Sequence, residues 1–551
     1  MTAPDQRRRS LVLAIAAACA GGAGLGLWWR RDAGRAAATA APGHGHASTG
    51  ATAPATMRIP GERTGLLADL RPSGPARLQA VAAEVEVFPG KPTTLWVYQG
   101  CEGGRSCLNP TLHVARGDTL DITLHNALAE DTTIHWHGLQ VDEANDGSGL
   151  HPVPANGERR YRFEVRNRAG LYWYHAHPHH RTGRQLQMGL AGLLLVEDDE
   201  ERALREQLGL RWGERDLPLM LADKQVDAHN AIVYRDEADD WIGNRVLANW
   251  SPEPTMTVVP GLYRFRMINV ANARVLRPAF LHEGAPLPVR LIGTDGGLLD
   301  QPRIVDDLFL APAQRADVLV DFGAVPAGGR VLLRSLDYVA MENEDESGPL
   351  APDLMADHPG AVPMGDALDL MAFHVESAQI ESAQAEGIAV PPVHVPDTLS
   401  SLPPPPDTAG WRAREIRLSM GADGEWLING LNFRSHGHHP AFEVKRGSRE
   451  VWDIRNNMTS MPHPIHIHGV QFRVVSRSIS PPDIRARQVV DGGLGPQDLG
   501  FNDTVLVWPG EIVRVAIDFS QPFSGAQRYM LHCHNLEHED MGMMLTFAVV
   551  D

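Results

Sequence analysis

Four His-x-His pairs are the part of the sequence with the most direct chemical meaning. On a β-strand, residues i and i+2 point to the same face, so each pair presents two imidazoles to one point. Imidazole is a ligand for copper, zinc, iron and nickel, so the pairs predict metal binding without naming the metal. The pairs are His135 with His137, His175 with His177, His466 with His468, and His532 with His534.

A cysteine inside the last pair predicts a second kind of metal site. Cys533 lies between His532 and His534, so its side chain faces the opposite side of the strand. One thiolate, two imidazoles and one thioether form the ligand set of a blue-copper electron-transfer site. The sequence therefore predicts two sites that are joined covalently through one strand. The remaining candidate ligands of the second site are His463, His538 and Met543.

An internal repeat indicates that the two ends of the chain are related domains. In each copy a Val-x-Arg-Gly segment (Val114–Gly117 or Val444–Gly447) leads through a strand to an asparagine, Asn126 or Asn457. The first His pair begins nine residues after that asparagine in both copies. A shared order and spacing over this distance is typical of duplicated domains.

The region between the repeats has the same strand-rich pattern without a His pair. Short alternating segments with frequent Gly and Pro predict β-sandwiches, and 551 residues are enough for about three domains. The segment 262–269 resembles the strand before the first His pair. Residues 293–297 are Gly-rich and are predicted to be a turn. The predicted divisions are an export signal and flexible tether at 1–60, domains at 61–204, 205–390 and 411–551, and a Pro-rich linker at 391–410.

Composition narrows the class of partner. The net charge of −18 disfavours nucleic acid, because phosphate binding needs clustered Lys and Arg. The chain has 25 His against 4 Cys, which favours imidazole-rich metal sites over structural zinc fingers. We expect small-molecule partners and a monomer.

The first residues resemble an export signal. Arg8 and Arg9 precede an apolar run, as in a twin-arginine signal, and residues 36–41 offer small-residue cleavage sites. The alternative is a retained membrane anchor, since the run is nearly long enough to span a bilayer. Either fate predicts an exported, periplasmic or cell-envelope protein. Lipidation at Cys19 is the weaker interpretation.

The metal motifs closely resemble those of the multicopper oxidase family. The similarity covers roughly residues 80–551 in order and implies an all-β fold of three cupredoxin-like Greek-key sandwiches, with four copper ions. It implies a laccase-type oxidoreductase that couples four one-electron oxidations to the reduction of dioxygen to two waters. The resemblance assigns the ligands as follows: type 1 copper, His463, Cys533, His538 and Met543; type 2 copper, His135 and His466; type 3 pair, His137, His175, His177, His468, His532 and His534.

Two carboxylates match acidic positions that the family places near the oxygen site. Asp146 lies eleven residues after His135, and Glu539 directly follows His538. Oxygen reduction consumes four protons, and positioned carboxylates can relay them. Asp146, Glu539 and Cys533 are therefore the candidate catalytic residues.

The reductant stays open between phenols, aromatic amines and Cu(I). Met461 lies two residues before His463, where cuprous oxidases of the family carry a Met, although their acidic partner is Thr459 here. The alternative functions are a copper-tolerance protein that acts chiefly as a cuprous oxidase or copper binder, and a scaffold without copper. The full ligand set argues against the scaffold. Four further methionines could cover the site, but ordinary packing is the simpler interpretation: Met341, Met355, Met364 and Met371.

The remaining His and Cys residues receive structural interpretations. His179 and His180 are predicted to be surface or packing residues, and the other histidines are predicted to lie in a loop or in the tether. Cys101 and Cys107 could form a short-loop disulfide in an oxidising compartment. The other histidines are His436, His438 and His439 in the loop, and His44 and His46 in the tether.

Overall fold

Three pairs of β-sheets follow one another along the chain in a computed structural model. Residues 1–54, which hold the predicted export signal and most of the predicted tether, lie outside the described residues. The side chains of residues 101, 102 and 105 are also outside the description. The structure describes residues 55–59, 65–102, 105–236, 239–341, 358–376, 394–458 and 460–551.

The first sandwich contains eleven strands in two sheets, ordered β1-β5-β4-β3-β7-β9 and β2-β6-β11-β10-β8. Its core includes Leu120, Ile122 and Leu124 of β7, as the alternating pattern predicts. Its strands are β1 Gly65–Leu66, β2 Asp69–Leu70, β3 Ala76–Val85, β4 Thr93–Glu102, β5 Arg105–Leu108, β6 Thr111–Ala115, β7 Thr119–Asn126, β8 His135–His137, β9 Glu158–Glu164, β10 Gly170–His175 and β11 Ala191–Glu197.

The second sandwich has sheets ordered β14-β13-β12-β16-β21-β19-β20 and β15-β23-β22-β17-β18 around its own apolar core. Its strands are β12 Asp216–Lys224, β13 Arg245–Ala248, β14 Ser251–Pro252, β15 Thr255–Val258, β16 Leu262–Asn269, β17 Pro278–His282, β18 Ala285–Pro286, β19 Val289–Thr294, β20 Gly297–Val305, β21 Arg315–Asp321, β22 Arg330–Ser335 and β23 Leu368–Val375.

The third sandwich has sheets ordered β25-β24-β27-β32-β29-β30 and β26-β34-β33-β28-β31, again with one core. Its strands are β24 Arg412–Met420, β25 Trp426–Ile428, β26 Pro440–Lys445, β27 Arg449–Arg455, β28 His463–Ile467, β29 Phe472–Ser478, β30 Phe501–Asn502, β31 Thr504–Val507, β32 Ile512–Asp518, β33 Gln527–Cys533 and β34 Met544–Val550.

Helices are short and lie in the connections. None of the helices in the described part of the chain has the length and apolar character needed to cross a membrane. The α-helices are α1 Glu143–Asp146, α2 Thr182–Met188, α3 Asp199–Gln207, α4 Phe433–His436, α5 Pro482–Arg485 and α6 Leu536–Asp540, and two 3-10 helices span Phe322–Ala324 and Pro496–Leu499.

The same crossover pairing occurs in all three sandwiches. Within the six sheets, β3 with β7, β12 with β16, and β24 with β27 run parallel in the first sheet of each sandwich. The other sheets contain the matching parallel pairs β6 with β11, β15 with β23, and β26 with β34. Parallel neighbours that are distant in sequence are the Greek-key feature. The predicted fold class, three cupredoxin-like Greek-key sandwiches, is confirmed.

One buried asparagine marks the repeat in each sandwich. The side-chain amide of Asn126 donates to the carbonyls of Glu130 and Val153 at 2.8 and 2.9 Å. Asn269 makes the same two-carbonyl bridge in the second sandwich. In the third sandwich the bridge is made by Asn456, at 2.7 and 3.0 Å. The residue that makes the bridge is therefore Asn456, which directly precedes the Asn457 that fits the spacing of the sequence repeat.

The ends of the predicted segments are docked onto the second sandwich. Thr56 bridges to Thr255, and Met57 is buried in the second core, because its apolar side chain gains from leaving water. The prediction that the tether extends to residue 60 is therefore wrong for residues 55–59. Helix α3 crosses the predicted boundary at 204/205 and packs Leu204 into the second core. Leu399 of the predicted linker joins that core as well.

The predicted turn at residues 293–297 is confirmed. It connects β19 to β20, with Thr294 opposite Gly297. Gly297 has a φ of +95°, and a Cβ there would lie 2.1 Å from the Ala169 carbonyl oxygen. Only glycine fits both constraints.

Candidate metal centre

The His pairs lie on neighbouring antiparallel strands in the first and third sandwiches. In the first, β8 pairs with β10 so that His135 stands opposite His175. In the third, β28 pairs with β33 so that His466 stands opposite His532. The repeated motif therefore produces the same local geometry twice.

The glycine that follows two of the pairs has a structural reason. Gly138 and Gly469 have φ values of +82° and +71°, a backbone conformation that side chains disfavour. A Cβ at Gly138 would lie 2.3 Å from Asp503 Oδ2, and one at Gly469 would lie 2.4 Å from the Tyr529 ring. Each glycine lets the chain turn closely beneath its imidazole pair.

All eight imidazoles of the four pairs are buried and converge between the first and third sandwiches. The Nε2 atoms of His468 and His532 are 3.0 Å apart, and those of His177 and His532 are 3.3 Å apart. In the first sandwich, His137 Nδ1 lies 3.3 Å from His175 Nε2. Three sets of three imidazoles have nitrogens within 4.8 Å of one another: His135, His137 and His175; His135, His466 and His468; and His177, His468 and His532.

The hydrogen bonds of these imidazoles leave nitrogen lone pairs for a metal. His135 Nδ1 donates to the Asp146 carbonyl, and His466 Nδ1 donates to the Asp503 carbonyl, both at 2.8 Å. Their Nε2 atoms are buried without a hydrogen-bond partner. Burial lowers the pKa of both rings well below the usual value, which keeps them neutral. Buried polar atoms without partners are rare, so the residues present fit a bound metal ion.

The thiol of Cys533 lies on the other side of β33, in the apolar core of the third sandwich. Its Sγ is 3.5 Å from His463 Nδ1 and 3.7 Å from His538 Nδ1, and the Asn535 amide donates to it at 3.4 Å. Burial raises the pKa of this thiol. Met543 is fully buried in the same core. The possible ligand atoms of His463, Cys533 and His538 all lie within 4.8 Å of one another, and a thiolate with two imidazoles is typical of a blue-copper site.

Asp146 lies against the imidazoles from the first sandwich. Its Oδ2 is 2.9 Å from His468 Nδ1, and its Oδ1 has no hydrogen-bond partner. Burial raises the pKa of this carboxyl to about 8. Helix α1, capped by the side chain of Asp142, positions it.

Glu539 lies against the imidazoles from the opposite side. Its oxygens are 3.5 Å from His177 Nδ1 and 3.1 Å from His532 Nδ1, and the Thr182 hydroxyl donates to it at 2.6 Å. Burial acts to raise the pKa of Glu539, but the neighbouring His177 and His532 outweigh it and lower the pKa well below the usual value. The two predicted carboxylates are therefore both at the centre and differ in charge environment.

A group of buried charged side chains contacts the imidazole cluster. The sequence did not predict this group. Asp503 Oδ1 accepts a hydrogen bond from His137 Nε2 at 3.0 Å, which leaves Nδ1 of that ring for a metal. Arg315 donates to Asp503 Oδ1 at 2.8 Å, to the Asp295 carbonyl at 2.9 Å and to the Leu171 carbonyl at 3.2 Å. Arg315 therefore connects all three sandwiches. No periodic or repeated pattern singles out either residue in the sequence.

A second group that the sequence did not predict lies against His538, near Cys533. His538 Nε2 lies 3.4 Å from Asp240 and 3.5 Å from Asp239, and both carboxylates come from the second sandwich. The Trp426 ring lies 4.3 Å from the His538 ring and donates to Asp239 at 3.0 Å. The Asp239 side chain is 52% exposed whereas the His538 side chain is fully buried, so Asp239 lies between this imidazole and solvent.

Several sequence predictions have other outcomes. Met461 is buried in the third core, with 6% of its surface exposed, and Met371 is buried in the second. Met364 packs in a small cluster, while residues 342–357, with Met355, lie outside the described residues. The disulfide between Cys101 and Cys107 stays a prediction, because the Cys101 side chain is not described.

The extra histidines lie outside the main cluster. His179 is half-buried, and burial lowers its pKa to about 2; its ring packs 4.6 Å from Phe433. His180 is exposed, and its Nδ1 donates to the Asp540 carbonyl at 3.0 Å. The exposed His438 and His439 lie in a loop, as predicted, but the prediction of a loop is wrong for His436, which is the last residue of helix α4.

Comparison with known proteins agrees with the geometry. Two family models, each described as multicopper oxidase, match residues 83–201 and 412–551. The bilirubin oxidase of Albifimbria verrucaria is 31% identical over 443 residues, 80% of this chain and 70% of that protein.

Two solved structures show the same relationship in three dimensions. The multicopper oxidase McoA of Aquifex aeolicus is 32% identical, with a TM-score of 0.77 over 90% of this chain and 99% of that chain. A multicopper oxidase of Campylobacter jejuni, described as a metallo-oxidase, is 28% identical, with a TM-score of 0.69 over 90% and 96% of the two chains. With this identity over nearly all of the McoA chain, and with both family models in place, the protein is a copper-dependent oxidoreductase and belongs to the multicopper oxidase family.

Proposed function

We propose that the chain is a laccase-type oxidase that accepts electrons singly at the Cys533 site and delivers them to dioxygen at the imidazole cluster. The observation that carries the proposal is the placement of Cys533. Its backbone neighbours His532 and His534 face the cluster, while its sulfur faces His463 and His538. One strand therefore connects the two sites through bonds.

The ligand assignment is the one that the resemblance to the family implies, and the contacts of the side chains support it. We assign type 1 copper to His463, Cys533 and His538, with Met543 as the fourth ligand from the same core. Type 2 copper is assigned to His135 and His466, whose Nε2 atoms have no other partner. Bound copper supplies one-electron redox chemistry and a place for dioxygen. The type 3 pair is assigned to the remaining imidazoles: His137, His175, His177, His468, His532 and His534.

The protein side chains at the type 1 site favour electron-rich aromatic reductants. Asp240 lies 3.4 Å from Nε2 of the buried His538, and the Trp426 ring packs against the same imidazole. A phenol or aromatic amine loses a proton when it is oxidised, and Asp240 is placed to accept it. The aromatic wall adds contact area for such a ring. The named substrate of the Albifimbria relative is also an organic molecule.

A second candidate reductant is Cu(I). Asp239 and Asp240 give the mouth of the site two carboxylates, which attract cations. The Campylobacter structure is described as a metallo-oxidase. The burial of Met461 in the third core weighs against Cu(I) as the reductant. An ion that contacts this sulfur must come close to the type 1 ligands. We therefore place Cu(I) second to organic reductants, with copper homeostasis as the matching role.

Asp146 and Glu539 are proposed to hold and deliver protons for oxygen reduction. Each contacts imidazoles of the cluster from a different side. Thr182 fixes Glu539 by a hydrogen bond, and helix α1 fixes Asp146. Fixed carboxylates near the reacting oxygen shorten each proton transfer to one hydrogen-bond length.

We also propose that the chain is exported to the periplasm or cell envelope as a monomer. The proposal rests on the twin-arginine-like Arg8-Arg9 segment and its apolar run. Membrane association would come only through that segment, if it is retained. A fractionation experiment with Arg8→Lys and Arg9→Lys tests it, and an unchanged exported fraction would contradict the twin-arginine route.

The decisive experiment combines copper analysis with spectroscopy and kinetics. The purified chain is expected to hold four coppers and to show the intense blue absorption of a copper–thiolate site. A colourless or copper-poor protein would contradict the proposal. Rates are then compared for a phenol, an aromatic amine and Cu(I).

A variant tests the role proposed for Asp240 in phenol oxidation. Asp240→Asn is expected to slow phenol oxidation by roughly a hundredfold, the lower end of what a positioned base contributes. Asp236→Asn is the matched control, because Asp236 is an exposed acid of the same region that pairs with Arg184. If both variants oxidise phenol equally well, Asp240 is not the proton acceptor.

A further inference from the structure

A second group of histidines lies beside the imidazole cluster and is not used by the proposed function. His179, which lies three residues before the start of α2, packs against His438 from the loop after α4. Their ring centroids are 4.9 Å apart, and Phe433 holds both rings from one side, at 4.6 and 5.4 Å. The pair therefore joins the first and third sandwiches at the surface.

The spacing of this pair equals that of the proposed copper ligands. Ring centroids are 4.9 Å apart for His177 and His532, and 5.2 Å apart for His463 and His538. His179 with His438 falls in the same range. Two imidazoles at this distance can direct nitrogens to one ion.

His179 also has a nitrogen without a partner. Its Nε2 is buried and makes no hydrogen bond. Gly149 provides the room for this ring, since a Cβ there would lie 2.6 Å from that Nε2 and 2.2 Å from the ring carbon Cδ2. A buried nitrogen with no partner is costly unless something binds it.

The pair continues towards the cluster. The His177 and His179 rings are 6.4 Å apart, so one further step leads from the pair to a proposed type 3 ligand. On the outer side, His438 is exposed, as are His180 and His439. A line of imidazoles therefore runs from solvent to the buried centre.

We propose that His179 and His438 form an additional copper site, through which copper enters the trinuclear centre during assembly. Imidazole suits copper, and two imidazoles with solvent satisfy the low coordination number of Cu(I). Hard cations such as Mg²⁺ and Ca²⁺ prefer oxygen ligands, so this site discriminates against them. The nearby cation Arg528 is already paired with Glu143, which limits its repulsion of the ion.

The proposal rests on the proposed function only where it names the trinuclear centre as the place that the copper reaches. Copper binding by the pair requires His179 and His438 alone, whereas entry to the trinuclear centre requires that His177 binds copper. Blue absorption of the holoenzyme tests the proposed function separately. A failure of one is therefore distinguishable from a failure of the other.

The binding test uses the fully loaded, reduced holoenzyme without oxygen. Cu(I) is added against a coloured Cu(I) chelator, and copper beyond four per chain is counted. We expect about one further copper in the wild type. His438→Ala should weaken this binding by at least about tenfold, because losing a ligand costs no less than losing a partner of one.

His374→Ala is the matched control, because His374 is a single exposed histidine on β23 of the second sandwich. It should bind the additional copper like the wild type. Absence of a fifth copper in the wild type, or equal binding by His438→Ala, would overturn the site.

The assembly test follows copper uptake by the copper-free full chain. Type 1 loading is read from blue absorption, and type 2 loading from its electron paramagnetic resonance signal. His438→Ala should slow the type 2 signal several-fold and leave blue absorption unchanged, since the thiolate lies on the other side of β33. Equal rates of both signals in the variant and the wild type would overturn the entry route.

Discussion

The second sandwich has the same architecture as the first and third, but it differs from them in the side chains on the strand that follows the bridging asparagine. In all three, a buried asparagine bridges two carbonyls after a matching strand: Asn126, Asn269 and Asn456. In the first and third, an imidazole-bearing strand follows. In the second, the strand that follows is β17, and it buries Phe280 in an apolar core. The backbone architecture therefore does not decide where the metal chemistry lies.

The second sandwich contributes charge to the site instead. Arg315 donates hydrogen bonds to Asp503, which contacts His137. Asp239 and Asp240 lie next to His538. Its interior also contains ion pairs between side chains, in which the fully buried Arg264 and Arg266 contact Glu201. The first and third sandwiches thus carry the proposed copper ligands, while the second sandwich carries charged groups that contact them.

The largest expected effect comes from removing the thiolate. Cys533→Ser should abolish blue absorption and substrate oxidation, because a hydroxyl does not replace the soft sulfur ligand. About three coppers should remain bound, since the cluster lies on the other face of the strand. Absorption spectra, copper content and turnover measure this. A variant that stays blue and active would contradict the assignment.

The next effect tests the contribution of the second sandwich. Arg315→Met leaves Asp503 and Asp295 as buried carboxylates without their cation, which should cost about 3–5 kcal/mol of the free energy of unfolding. It should also weaken the type 2 signal, because Asp503 positions His137 and its carbonyl positions His466. Urea denaturation and electron paramagnetic resonance measure the two effects.

Arg303→Met is the control for that experiment. Arg303 belongs to the same sandwich, but its ion pair with Asp300 is partly exposed, and such pairs contribute about 0–1 kcal/mol. Comparable losses in both variants would mean that Arg315 has no special role at the domain junction.

A smaller, selective effect is expected at the proton step. Asp146→Asn should slow oxygen reduction by roughly a hundredfold and leave anaerobic reduction of the type 1 site unchanged, since only oxygen reduction consumes protons at the cluster. Stopped-flow reduction and steady-state oxygen uptake separate the two steps. Asp131→Asn, at an exposed position of the first sandwich, should change neither. Equal losses in both steps would remove the proton role.

The smallest effect concerns Met461. Met461→Leu conserves volume in the core, so the fold should lose less than about 1.5 kcal/mol and phenol oxidation should persist. If the thioether contacts Cu(I), the KM for Cu(I) should rise several-fold. Met530→Leu, a buried methionine of another cluster, serves as control. An unchanged KM and kcat for Cu(I) would leave an oxidase of organic reductants.

The fold class and the candidate metal ligands could both be predicted from the sequence, and the fold class is confirmed. Spacing alone places His135 with His137 on one face, and Cys533 on the opposite face from its neighbours, because strand geometry fixes side-chain direction. The repeat likewise predicts that two domains carry the chemistry. These inferences depend only on local backbone geometry, and they hold wherever the strands lie.

Only the folded structure shows which side chains contact those candidate ligands. Arg315 and Asp503 are 188 positions apart, and His538 and Asp240 are 298 apart, and no local period connects such pairs. The bridge in the third sandwich is made by Asn456, whereas the sequence spacing selects Asn457, and the cause is the same. Packing, and not spacing along the chain, determines which side chain reaches the two carbonyls. Residues 55–59 belong to the segment that the sequence predicts to be a flexible tether, and only the folded structure shows that Met57 is buried in the second core.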